Sequence, residues 1–298
     1  MNTHAASRRA SPRGAGAPRI SAWPFIVAAL ISLAGLILTY RFFVNTTTGQ
    51  FIDESALVEA AVVRDRIGAQ TAQLLDLLPA TSVVIAAVVV LFVTVARRRW
   101  KAAGIAIAAM AAANLSTQLI KAGLPDRPHM GVSTLALNSL PSGHSTLAAS
   151  AAAAVFLVVS PRWRPAVAFV GGGYAIMAGV STLINQWHRP ADVLAAFFVV
   201  ALWTALAALA VMRSGPQWNV WLGSSRHWAS SRWWTACTVI LAALGVVLTM
   251  LNLRAADAAG TVSTITYFFA GVGQIVAVGF GLTFAATLLL TLPVRRRS

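Results

Sequence analysis

Two histidines stand out in this chain because each sits among residues that could make it reactive. His144 closes the run Pro141-Ser142-Gly143-His144, directly before the apolar stretch from Leu147 to Ser160, and His188 precedes Asp192 by four residues. Imidazole changes charge near neutral pH, so it can act as a nucleophile, a general acid or a general base. A carboxylate one helical turn away can hold such a ring in one tautomer. A helix that starts at Ser142 and Gly143 points its unpaired N–H groups and the positive end of its dipole at whatever lies over them, which favours an anion such as phosphate. Cations flank both histidines: Lys121 and Arg127-Pro128 upstream, and Arg189 beside His188. Taken singly, each residue has a plainer reading. Asp192 can be an acid favouring a helix start, Pro190 a first-turn proline, Lys121 a side chain snorkelling from a helix end, and Ser142 a helix cap. Those readings do not explain why all three groups lie at the ends of neighbouring apolar runs.

The elements that must position these residues are membrane helices. Of the 298 residues, 58% are hydrophobic and 10% charged, and the mean hydropathy is +0.73, a composition that suits a polytopic membrane protein rather than a soluble domain. Eight runs have spanning length: Ile20 to Val44, Leu77 to Ala96, Ala102 to Ile120, Ser145 to Ser160, Pro165 to Ile184, Pro190 to Met212, Thr235 to Leu253 and Val262 to Leu292. The first is too long for a signal-peptide core and lacks a small-x-small cleavage pattern, so it reads as a retained helix. Fold class is therefore all-α, with both termini on one side of the membrane.

Charge sets the orientation. With a cytoplasmic N-terminus, 16 of the 23 basic residues fall inside, and all eight acids (Asp53, Glu54, Glu59, Asp65, Asp76, Asp126, Asp192 and Asp257) fall outside. This asymmetry accounts for the net charge of +15 without nucleic acid as a partner. It also places Lys121, Pro141 to His144 and His188 to Asp192 at the same outer face. Residues 1–19, rich in Ala, Ser, Gly, Pro and Arg, read as a basic cytoplasmic tail without an apolar face. The outer segment from Asn45 to Gln73 has helical apolar spacing at Leu57, Ala61, Val62 and Ile67, and two readings stay open: a helix on the membrane surface, or a cover over the helix ends. The inside segment 213–234 carries Trp218, Trp221, Trp228, Trp233 and Trp234 and reads as an interfacial aromatic belt. Cys237 is the single cysteine, so no internal disulfide forms and no metal cluster is implied.

The chain resembles the type 2 phosphatidic acid phosphatase, or lipid phosphate phosphatase, family, whose fold is shared with vanadium haloperoxidases. The resemblance rests on three motifs in order: Lys121 followed by Arg127-Pro128, Pro141-Ser142-Gly143-His144, and Ser181 with His188 and Asp192. The family pattern has six residues between lysine and arginine, where this chain has five. It has arginine after the serine of the third motif, where this chain has Thr182. The resemblance covers helices 1 to 6, a six-helix core over 20–212, and leaves 235–298 with two further helices outside it.

It implies a phosphatase mechanism without metal or cofactor. His188 is the implied nucleophile, forming a phosphohistidine, and His144 the acid for the leaving oxygen, with Asp192 orienting His188. Lys121, Arg127, Ser142, Gly143, Ser181, Thr182 and Arg189 are the implied phosphate contacts, Arg189 as a substitute for the missing arginine. The expected function is hydrolysis of a lipid-linked phosphate or diphosphate at the extracytoplasmic face of the plasma membrane. Phosphatidate, phosphatidylglycerol phosphate and polyprenyl diphosphate are candidate substrates. Two alternatives remain: a phosphotransferase of the same fold, and a non-catalytic lipid-binding membrane protein. A transporter fits less well, because its polar residues should lie at mid-membrane.

Overall fold

A computed structural model describes residues 20–133, 137–215, 219, 227–259 and 265–291. Eight helices make up the described chain: α1 (Trp23–Asn45), α2 (Thr47–Arg97), α3 (Trp100–Gly123), α4 (Gly143–Val158), α5 (Arg164–Ile184), α6 (Pro190–Ser214), α7 (Arg232–Ala259) and α8 (Thr266–Thr291). Seven of the helical segments are long and apolar enough to cross a membrane, and α4 is shorter at 16 residues. The protein is an all-α, multi-pass membrane protein.

The packing follows residue size. The Ala-rich stretch of α4 from Ala148 to Ala154 lets α3, α5 and α6 approach it closely, and α6 is buried along most of its length. On α5, a Cβ at Gly171 would come within 2.9 Å of the Ala152 Cβ on α4, and one at Gly172 within 2.5 Å of Thr283 on α8. α7 and α8 cross through Gly245 and Gly273, where an added Cβ would meet the facing backbone at 2.6 and 2.8 Å. The α7–α8 hairpin docks mainly through α8 onto α5, α6 and α2. An apolar cavity of ≈ 200 Å³ lies among α1, α4, α5, α6 and α8.

One expectation changes substantially. The outer segment and the second span are a single helix, the 51-residue α2. Thr46 caps its start by accepting from the Gly49 N–H, and no proline interrupts it before Pro79. Its first half covers the ends of α5, α6 and α8. Glu59 accepts from the Phe268 N–H at the start of α8 (2.9 Å), while Thr71 and Asn185 join α2 to the end of α5 (2.7 Å). Of the two readings left open by the sequence, the cover over the helix ends describes this structure. Its cause is a stripe of small or polar buried residues, Gly49, Gln50, Asp53, Ala56 and Ala60, which the apolar spacing did not reveal.

At the other end of the bundle, Trp163, His227, Trp228 and Trp234 form a ring cluster with closest centroids 5.2 Å apart, while Trp228 and Trp233 remain exposed. Trp218 and Trp221, like the basic tail 1–19, lie outside the described residues.

Candidate active site

The site is built where the starts of α4 and α6 meet the ends of α3 and α5. Ser142 caps α4: its hydroxyl accepts from the Ser145 N–H and hydroxyl, and its own N–H donates to the Asp192 carbonyl (2.9 Å). Thus the two helix starts are bonded to each other. Thr117 on α3 and Thr146 on α4 share a hydrogen bond of 2.9 Å, which fixes α3 and the Lys121 at its end. The Ser142 amide is engaged, so the N–H groups left to face an anion are those of Gly143 and His144, which have no partner among the described residues.

His188 and Asp192 stand as the spacing predicts, one turn apart, with His188 Nδ1 3.1 Å from Asp192 Oδ2. Asp192 is fully buried. Its Oδ2 also accepts from the Ser139 hydroxyl (2.6 Å) and from the Arg189 backbone N–H (3.2 Å), so three donors hold that oxygen. A buried carboxylate needs such partners. This arrangement places the proton of neutral His188 on Nδ1 and leaves Nε2 with a free lone pair.

The turn that carries His188 is held in an unusual conformation. Gln186 has φ of +59°, in the left-handed region that costs a residue with a side chain about 1 kcal/mol. Its amide is clamped by α2: Nε2 donates to the Leu57 carbonyl (2.9 Å), and Oε1 accepts from Arg64 Nη1 (3.1 Å). The N–H groups of Trp187 and His188 both donate to the Thr182 carbonyl, folding the turn back onto α5. Trp187 in turn stacks at a tilt against His144, with ring centroids 5.4 Å apart. The charges of His188, Lys121 and Asp76 each act on His144.

Other expected phosphate contacts are engaged elsewhere. Arg127 Nη2 is bonded to Asp53 Oδ2 at 3.0 Å with both side chains fully buried, and its Nε and Nη1 have no partner among the described residues. Arg189 bonds Glu54 through Nε (2.7 Å) and Ser139 through Nη1 (3.4 Å). Thr182 is fully buried, and its hydroxyl donates to the Gly179 carbonyl of its own helix (2.7 Å). Ser181 is buried at the same helix end. Lys121 is half-buried and forms no ion pair among the described residues.

Sequence reasoning missed Asp53, Glu54, Ser139 and Gln186. Asp53 carried a usable signal, since it lies in register with the small residues Gly49, Ala56 and Ala60. Ser139 and Gln186 carried none, because their roles depend on where loops fold.

Helices long and apolar enough to span the bilayer thus gather a histidine pair, a lysine and a helix start at one end. Residues 105–216, which run from α3 through α6 and include both histidines, match the model of the PAP2 superfamily. No curated protein and no solved structure matches the chain.

Proposed function

We propose that the protein is a phosphatase acting on a lipid-linked phosphate or diphosphate at the extracytoplasmic face, through a phosphohistidine. The observation that carries this reading is the buried Asp192 carboxylate, held by Ser139 and the Arg189 N–H and bonded to His188 Nδ1. A carboxylate so fixed leaves His188 Nε2 as the nucleophile.

In the first step Nε2 attacks phosphorus, the P–N bond forms and the bond to the leaving oxygen breaks. His144 gives that oxygen a proton. In the second step water attacks phosphorus, the P–N bond breaks and His144 takes the proton from water. The N–H groups of Gly143 and His144, with Lys121, hold the phosphoryl oxygens as charge develops. Ser139 and Arg189 act behind Asp192, and Arg127 secures α2 while keeping two donors available.

The apolar cavity supports a lipid substrate. Its lining begins at Ala149 and Phe197, each five residues past His144 and Asp192, about 7.5 Å below them along the helices. The hydroxyls in its wall, on Ser32, Thr204 and Thr283, are bonded to carbonyls of their own helices, so the cavity offers hydrocarbon-like surface. The positive-inside distribution of charge supports an extracytoplasmic site. Phosphate release by detergent-purified protein, with EDTA present, over phosphatidate, phosphatidylglycerol phosphate and polyprenyl diphosphate tests the reading. Release from none of them would favour a non-catalytic, lipid-binding role. Transfer of label to an acceptor lipid in place of water would favour a phosphotransferase.

A further inference from the structure

At the end of the bundle opposite the histidines, two arginines are buried together. Arg164, the first residue of α5, is fully buried, and Arg99, between α2 and α3, is 8% exposed. Both donate to the same atom, Asn219 Oδ1: Arg164 Nη2 at 2.6 Å and Arg99 Nη2 at 3.4 Å. Asn219 is itself fixed by donating to the Val211 and Gly215 carbonyls at the end of α6. Arg99 Nη1 spans the Val158 and Val159 carbonyls at the end of α4 (2.7 and 3.2 Å). Those carbonyls offset part of the charge on Arg99. Among the described residues nothing comparable reaches Arg164, whose Nε and Nη1 are buried without partners there. Burial alone pulls Arg99 below the ordinary arginine pKa.

No carboxylate side chain in the protein can neutralise this pair. The eight acids are Asp53, Glu54, Glu59, Asp65, Asp76, Asp126, Asp192 and Asp257, and the sequence holds no others. Asp53, Glu54, Glu59 and Asp65 lie on the first half of α2 and Asp76 just past its midpoint, Asp126 follows α3, Asp192 starts α6 and Asp257 lies near the end of α7, all toward the histidine end. Asp76 is 21 residues before Arg97, about 30 Å along α2. Two buried guanidinium groups without a side-chain counter-charge are strongly unfavourable, and guanidinium is the side chain best matched to phosphate. The like charges of Arg99 and Arg164 also repel each other at this range.

We propose that Arg99 and Arg164, bridged by Asn219, form a second anion site on the face remote from the histidines, and that it takes a phosphate group, either the headgroup of a bilayer phospholipid or free phosphate. The neighbouring ring cluster of Trp163, His227 and Trp228 is the kind of aromatic collar found at the depth of lipid headgroups. The site stands apart from the reaction and does not depend on the phosphatase reading.

The test is thermal unfolding of delipidated protein in neutral detergent, titrated with inorganic phosphate, with short-chain phosphatidylglycerol, or with chloride at matched ionic strength. The background variant Lys121→Met removes a candidate phosphate contact at the histidine end. In that background the Tm is expected to rise with phosphate or phosphatidylglycerol and not with chloride. A response at lower concentration for the lipid assigns the headgroup; a response to phosphate alone assigns the free ion. Adding Arg164→Met should weaken the response about tenfold or more, the scale of a lost charged hydrogen bond. Without anion, Arg164→Met should melt at or above the temperature of its parent, because an unpaired buried charge has gone. Absence of any phosphate-specific shift in the Lys121→Met protein, which needs no change at Arg164, would overturn the proposal. So would a response that Arg164→Met leaves intact.

Discussion

Asp53 and Arg127 form an ion pair of 3.0 Å in which neither side chain is exposed, and the other oxygen of Asp53 accepts from the Ala191 N–H at the start of α6 (2.9 Å). A single carboxylate therefore ties α2, the loop after α3 and the helix that carries Asp192. Gln50 reinforces the joint by donating to the Pro128 carbonyl (2.8 Å).

Removing one partner of a buried pair strands the other, so Asp53→Ala is expected to destabilise the protein by about 3–5 kcal/mol. Replacing both, in Asp53→Leu with Arg127→Met, should recover much of that loss. Thermal unfolding in detergent decides the matter. If the double variant is as unstable as Asp53→Ala, the pair does more than neutralise itself. Phosphate release by the refolded double variant then separates structure from chemistry: near-normal turnover means that Arg127 serves as an anchor for α2, and a large loss means that its two open nitrogens meet the substrate.

The histidine chemistry makes a graded prediction. His188→Ala should abolish phosphate release, whereas Asp192→Asn should leave a measurable remnant because the nucleophile survives. Ser139→Ala removes one donor from Asp192 Oδ2 and should lower kcat about tenfold with little change in KM, as expected for lost orientation rather than lost binding. A Ser139→Ala protein with unchanged kcat would show that the remaining donors suffice.

How much of this was legible in the sequence depends on the range of the interaction. His188 and Asp192 are one turn apart on one helix start, so local periodicity placed them. The spans were legible because bilayer thickness sets their length, and the shared end of the three motif groups followed from alternating topology. The role of α2 was not legible. Its first half is too polar to register as a span, and its contacts with Arg127, Gln186 and Phe268 lie 74 to 209 residues away. Arg127 and Thr182 show the same limit from the other direction. Spacing identified them as motif positions, but only packing shows that one is held by Asp53 and the other by its own helix.

The turn before His188 offers a test of strain. Gln186→Ala keeps the left-handed backbone and loses both bonds to α2, while Gln186→Gly loses the same bonds and lifts the strain. Glycine should therefore be the more stable of the two by about 1 kcal/mol, with wild type above alanine. Melting temperatures measured side by side suffice. Alanine at or above glycine would mean that the turn is unstrained.

Thr182 stands where the resembling family has arginine, and an always-charged fork in place of one hydroxyl would ordinarily raise phosphate affinity about tenfold to a hundredfold. The surroundings argue against that gain here. Thr182 is fully buried, its hydroxyl is bonded within α5, and its carbonyl carries the two N–H groups that fold the His188 turn. An arginine at this position must displace packed neighbours and carry its charge into them, which overpacking and desolvation both oppose. Thr182→Arg is therefore expected to lower the melting temperature and leave phosphate release no higher than wild type, while Thr182→Val, close in shape, should cost little. Arg189→Ala should be the damaging change, because Arg189 joins Glu54 to Ser139 and so to Asp192. Phosphate release and unfolding measured on all three variants decide between the two accounts. Higher turnover in a stably folded Thr182→Arg protein would show that the new guanidinium reaches the substrate after all.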